Sequence, residues 1–130
     1  MRVVFDSNIF ISALIIPGSK ADRAIARIIK GQDSLLLSKA IIDEVLTVLS
    51  RKFSRDREAV SRVALYLSEL GEIIRPSKKI KVLKDEPDNR ILECALTGKA
   101  NIIVTGDKDM LDLSEFQGIG ILSLKEYLRS

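Results

Sequence analysis

A chain of 130 residues, 46% hydrophobic and 30% charged, carries enough apolar surface for one core and suits one globular domain spanning 1–130. It has no histidine and one cysteine. That excludes a Ser-His-Asp triad, a Cys-His pair, a ribonuclease with a histidine acid–base pair, a zinc site built on His or Cys, and an internal disulfide. The formal charge of +3 permits a nucleic-acid partner without demanding one.

In chain order, Arg2 to Phe5 reads as a short buried strand, β-branched and aromatic without alternation. Asp6 follows, and Asn8 to Ile15 predicts a helix stopped by Pro17-Gly18. Ser19 is placed to cap a second helix to about Lys30, with Ala24, Ile25, Ile28 and Ile29 at helical spacing and Gly31 behind it. Ser34 to Leu37 is a second strand. Ser38 caps a helix carrying Ile41, Val45 and Val48. A further helix is expected from about Arg55 to Leu70, with Val60, Val63, Ala64 and Leu67 inward. Glu72 to Ile74 is a third strand. The basic stretch "KKIKVLKDEPDN" predicts a loop with a short extended segment, and Asp88 is expected to start the next helix, closed by Gly98. Asn101 to Val104 and Ile119 to Leu122 are the fourth and fifth strands, and Leu124 to Leu128 a last helix. Strands alternating with helices imply a three-layer α/β/α fold with a mostly parallel five-stranded sheet. No apolar run reaches the roughly 20 residues of a membrane span. Asp6 and Asn8 interrupt any signal-peptide core, and the lone Cys94 points to a reducing cytoplasm.

In such a sheet, ligands bind outside the carboxyl ends of the strands. Asp6 and Asp107 both follow strands there, and each also suits a helix cap, as does Asp88. Caps need no carboxylate, so the recurrence of Asp suggests more than capping. Glu44 lies on the flank of its helix, beside Ile41 and Val48. Clustered carboxylates repel one another, and a divalent cation on oxygen ligands, magnesium or manganese, relieves the conflict.

The order "FDSN", "IIDEVL", "DEPDNRILECAL", "NIIVTGDKDML" covers nearly the whole chain and resembles the PIN-domain family of metal-dependent nucleases. It is most similar to the prokaryotic, VapC-like toxins of toxin–antitoxin pairs. The resemblance implies that Asp6, Glu44, Asp88 and Asp107 are the catalytic, metal-binding acids, and that Asp109 occupies a position where some relatives carry a further acid. Ser7, Asn8 and Thr105 match positions that support the acids. "DEPDN" departs from the commoner "DPDDN", so Asp85 and Glu86 compete with Asp88 for the third position; Asn89 anchors the choice of Asp88. The implied substrate is single-stranded RNA, cut to a 5′-phosphate and a 3′-hydroxyl. The implied partners are an antitoxin protein and a second copy of the chain in a homodimer.

An acidic cleft needs positive charge at its rim to hold a polyanion. Arg90 lies nearest the acids. Arg51, Lys52, Arg55 and Arg57 form one further cluster, and Lys78, Lys79, Lys81 and Lys84 another. Two competing readings remain at this point. A magnesium-binding receiver-type signalling domain would need a pair of acids after the first strand, where only Asp6 stands, and a mid-chain phosphoacceptor Asp. A PIN-like RNA- or protein-binding module without catalysis would tolerate loss of the acids, all of which are present.

Overall fold

Val3, Val4 and Phe5 are fully buried, which is why the first strand lacks alternation: both of its faces are covered. It occupies the middle of the sheet. The computed structural model describes residues 1–52 and 56–130. Its strands are β1 (Arg2–Phe5), β2 (Ser34–Ser38), β3 (Glu72–Ile74), β4 (Ile102–Val104), β5 (Glu115–Phe116) and β6 (Ile119–Leu122). Their order in the sheet is β3-β2-β1-β4-β6-β5. All pairings are parallel except β5 with β6. Helices on both faces complete the three layers.

Among the described residues the sheet therefore has six strands, not the five expected. The extra one, β5, is two residues long and pairs Glu115 with Gly120 and Phe116 with Ile119. Its turn residues, Gln117 and Gly118, both have positive φ, at 49° and 84°. This is the primed geometry that matches strand twist in a tight hairpin. Two residues are too few for hydrophobic periodicity to register.

The helices are α1 (Ser7–Ile15), α2 (Lys20–Ile29), α3 (Lys39–Lys52), α4 (Arg57–Leu70), α5 (Glu86–Thr97), α6 (Lys108–Leu113) and α7 (Leu124–Arg129). Ser19 caps α2 as expected, accepting from the Asp22 N–H. Ser38, the last residue of β2, accepts from the Ile41 N–H at 3.3 Å and so also opens α3. Asp56 caps α4; the expected start at Arg55 lies outside the described residues. Of the inward residues predicted for α4 only Leu67 is fully buried. Val60 and Val63 instead line a half-open apolar cleft with Leu14, Ile15, Leu46 and Leu49.

Helix α5 begins two residues earlier than expected. Its N-cap is Asp85, and Pro87 lies in its first turn. Proline suits that turn, where the backbone N–H has no helical partner to lose. Asp88 is thus inside the helix and is not its cap. The basic segment before α5 contains no strand; side chains of α5 hold it instead. Asn89 accepts from the N–H groups of Val82 and Leu83, at 3.2 and 2.9 Å, and donates to the Leu83 carbonyl at 2.8 Å. Glu93 accepts from the Ile80 N–H at 2.9 Å.

The core joins Phe5, Phe10 and Tyr127, with ring centroids 5.9 and 5.5 Å from Phe5. Cys94 is buried within it. Burial pushes its thiol up to about 12 against a lowering hydrogen bond with Ser38, so it is an inert packing residue. Among the described residues no helix is long and apolar enough to cross a membrane.

Candidate metal centre at the sheet's carboxyl rim

Strand order reverses at β1: the chain moves outward to β2 and β3, then returns to place β4 on the other side. The carboxyl ends of β1 and β4 thus flank a topological switch point, where open α/β sheets leave a crevice. Asp6 ends β1. Thr105 and Asp107 follow β4. The Asp6 N–H donates to the Val104 carbonyl at 3.0 Å, extending the pairing to the rim.

Asp6 is only 3% exposed, and both of its carboxylate oxygens accept hydrogen bonds. Oδ1 accepts from the Asn8 N–H at 3.2 Å and the Ser7 hydroxyl at 3.3 Å. Oδ2 accepts from the Thr105 hydroxyl at 2.7 Å. Thr105 is fully buried, and its Oγ1 also accepts from the Asp107 N–H at 3.0 Å. One hydroxyl therefore stitches the ends of β1 and β4 together. Asp107 in turn caps α6, accepting from the Met110 N–H at 3.0 Å. Capping and clustering are both true of Asp6 and Asp107.

Asp88 comes to the same place from α5, which packs across β1, β2 and β4. Burial raises its pKa first, then the carboxylates of Asp107, Asp85 and Asp6, then a hydrogen bond with Asp107, together up to about 7. Three of the four expected acids are thus electrostatically coupled, with Asp85 as an additional neighbour. Glu44 is not among them. It is half-buried and lines an adjoining cleft of about 180 Å³ with Ser7, Ala40, Glu86, Pro87 and Arg90.

The remaining expected residues fall differently. Ser7 is buried and touches Asp6, but Asn8 is exposed and contributes its backbone N–H. Asp109 is exposed in the first turn of α6. Arg90 is already partnered: its Nη2 lies 2.9 Å from Glu93 and 3.4 Å from Glu86. Arg51 and Lys52 are exposed at the end of α3, and Lys79 is exposed after β3. Two contributors escaped the sequence reading. Asn89 served there only to anchor the alignment, whereas here it straps the loop leading to Asp85. Glu93, 6% exposed, neutralises Arg90. The signal for Glu93 was a charge inside the apolar run "ILECAL".

Among the described residues no group of three or more acidic side chains is drawn tightly enough to hold a metal ion outright. The donor set nevertheless fits a hard cation. It is all oxygen, and it is charge-congested, with Asp107, Asp85 and Asp6 all acting on Asp88. Magnesium takes one or two carboxylates and keeps several waters, so a pair with a third acid behind it suffices.

A doubly wound α/β unit with an acidic cluster at its switch point defines a class in which bound ligands meet the carboxyl rim. A family model for the PIN domain matches residues 2–109, a span that holds all four expected acids and Asp109. The chain belongs to the PIN domain family. This removes the receiver-domain reading. The uncharacterized protein MJ1680 of Methanocaldococcus jannaschii is 34% identical over 119 residues, covering 88% of this chain and 76% of that protein. The fold is similar to that of a chain in the structure of VapBC2 from Rickettsia felis bound to a DNA fragment from its promoter. There the TM-score is 0.67 at 15% identity, covering 95% of this chain and 98% of that one. It is likewise similar to a chain of VapBC-1 from nontypeable Haemophilus influenzae, with TM-score 0.68 at 16% identity, covering 96% and 99%.

Proposed function

We propose that this protein is a divalent-metal-dependent endoribonuclease that hydrolyses phosphodiesters of single-stranded RNA, as the toxin of a toxin–antitoxin pair. The observation that carries the reading is the unneutralised cluster of Asp88, Asp107 and Asp6, where electrostatic crowding calls for a cation. Membership of the PIN domain family and the fold shared with chains of two VapBC structures support it.

In this reading Asp88 and Asp107 hold magnesium or manganese, with Asp6 behind them. When bound, the cation supplies a lowered barrier for deprotonating the attacking water and offsets charge on the leaving oxygen. Thr105 and Ser7 fix the Asp6 carboxylate by donating to its two oxygens. Glu44, in the cleft beside Ser7, is placed to accept a proton or orient a water near the scissile phosphate. Asp109 and the Asn8 side chain, both exposed, have lesser roles at most.

The test is labelled single-stranded RNA incubated with manganese, with magnesium, and with chelator, beside Asp6→Asn and Asp107→Asn variants. The expected result is metal-dependent cleavage leaving 5′-phosphates, abolished by chelator and by either substitution. Cleavage that survives chelator or both variants overturns the proposed centre. Binding without cleavage under any metal makes the protein a binding module. Co-purification with a small antitoxin that inhibits cleavage supports the toxin role separately.

A further inference from the structure

Beside the cleft that holds Glu44 and Ser7 lies a larger groove of about 840 Å³. It occupies the same rim, because it is built at the carboxyl ends of β2 and β3, on the first turn of α3, on the segment after β3 and on α5. Five cationic side chains line it, Lys39, Arg75, Lys78, Lys79 and Arg90, against one carboxylate, Glu93. That surplus exceeds the +3 of the entire chain. Glu93 is buried and pairs with Arg90, so those two charges cancel and the surplus rests on Lys39, Arg75, Lys78 and Lys79. Arg75, Lys78 and Lys79 are exposed, and among the described residues none of them is in an ion pair. Lys39 pairs only with Asp43 one turn along, on an exposed surface where such a pair is weak and readily exchanged.

The groove is continuous with the acid-bearing end. Ala40 and Arg90 line both it and the smaller cleft. At that junction the Arg90 guanidinium makes its contacts through Nη2, and its buried Nε has no hydrogen-bond partner. Ile42, Ile73 and Pro76 add apolar lining to the groove.

We propose that this groove is the track for the sugar–phosphate backbone of a single-stranded nucleic acid, leading past Arg90 to the acid cluster. Apolar lining beside cationic side chains matches a strand that carries flat bases and one phosphate per nucleotide. An acidic peptide would match the cationic side chains alone. The direction of the track rests on the nuclease reading; the binding itself does not.

The test is fluorescence anisotropy with a short, unstructured, labelled oligouridine, in chelator, across a salt series. The variants are Arg75→Ala/Lys78→Ala/Lys79→Ala and, on the far side of the sheet, Lys125→Ala/Arg129→Ala on α7. For single strands each neutralised phosphate contributes roughly 0.7 to the slope of log affinity against log salt. The triple variant should flatten that slope by about 2 and weaken low-salt binding by about tenfold or more, while the α7 variant keeps the wild-type slope. An unchanged slope in the triple variant, or an equal loss in the α7 variant, overturns the track. Displacement of the RNA by a polyglutamate peptide at matching potency, with the same dependence on the three residues, overturns its assignment to nucleic acid. Chelator silences hydrolysis, so groove-dependent binding without cleavage in manganese sinks only the nuclease reading. Cleavage with groove-independent binding sinks only the track.

Discussion

Thr105 is the cheapest point at which to unpick the acid cluster. Thr105→Val keeps nearly the same volume and removes one hydroxyl. That hydroxyl donates to the Asp6 carboxylate at 2.7 Å and accepts from the Asp107 N–H at 3.0 Å, with Thr105 fully buried. Losing a hydrogen bond to a buried charge costs about 1.5–3 kcal/mol, and stranding the Asp107 N–H adds about 1 kcal/mol. The extra buried methyl returns roughly 0.8 kcal/mol. The net is a destabilisation of about 2–3 kcal/mol. With an unfolding entropy of about 2.1 cal/mol/K per residue, the melting temperature should fall by about 7–11 °C. The assay is thermal unfolding with and without manganese, beside Thr105→Ser. The serine variant keeps the donor and should retain the manganese-induced rise in melting temperature. If the proposed centre is right, the valine variant should need about 10–100-fold more manganese for the same rise, because it removes the group that orients Asp6 behind the cation. The reasoning is refuted if Thr105→Val melts within about 2 °C of wild type, or if Thr105→Ser loses the manganese response as fully as Val.

Without metal, stability should fall as pH rises from about 4 to about 7. Over that range the unfolded Asp88 is ionised while burial and its acidic neighbours keep the folded carboxyl protonated up to about 7. Urea titrations across pH should show the fall in wild type, its absence in Asp88→Asn, and its suppression by manganese. At the opposite end of the sheet, burial of Asp33 is outweighed by a 2.7 Å hydrogen bond from Tyr127, the terminal ammonium and Arg27, which hold its pKa below 3.8. Asp33 therefore stabilises the fold above about pH 3.8, and that contribution is lost as pH falls through its lowered folded value. Tyr127→Phe should cost about 1.5–3 kcal/mol near neutral pH by chemical denaturation, with the deficit shrinking in strong acid.

The architecture was readable because its elements announce themselves in the chain. Val3–Phe5, Leu35–Leu37 and Ile102–Val104 are unbroken apolar runs, and all of them are central strands buried on both faces. Ser19 was placed as a cap by its side-chain chemistry, and it caps. The errors fall where local chemistry gives no period. The two-residue β5 has none. The frame of α5 shifted because Asp85 and Asp88 both suit a helix start, and the local signal that separates them is Pro87, which belongs in the first turn and so sets the start before it. That shift matters for the site. As a cap, Asp88 would spend its carboxylate on backbone donors; from the helix's first turn it is free to meet Asp107.

The difference between Asp88 and Glu44 shows where sequence reasoning about sites runs out. Both were placed by motif position, yet only Asp88 is held within reach of the other acids. Asp6 and Asp107 are fixed by the sheet, one residue and three residues beyond adjacent paired strands. Asp88 is fixed at one remove, by α5 lying across three strands and by the Asn89 and Glu93 straps that hold the preceding loop. Glu44 hangs from α3, whose first turn also walls the basic groove, and among the described residues its carboxylate makes no hydrogen bond or ion pair. Its carboxylate is therefore left free beside both the acidic cluster and the cationic groove, while the other three are positioned by the fold. The four acids therefore divide in kind: Asp6, Asp88 and Asp107 are held together by the fold, and Glu44 lines the adjoining cleft with no partner of its own among the described residues.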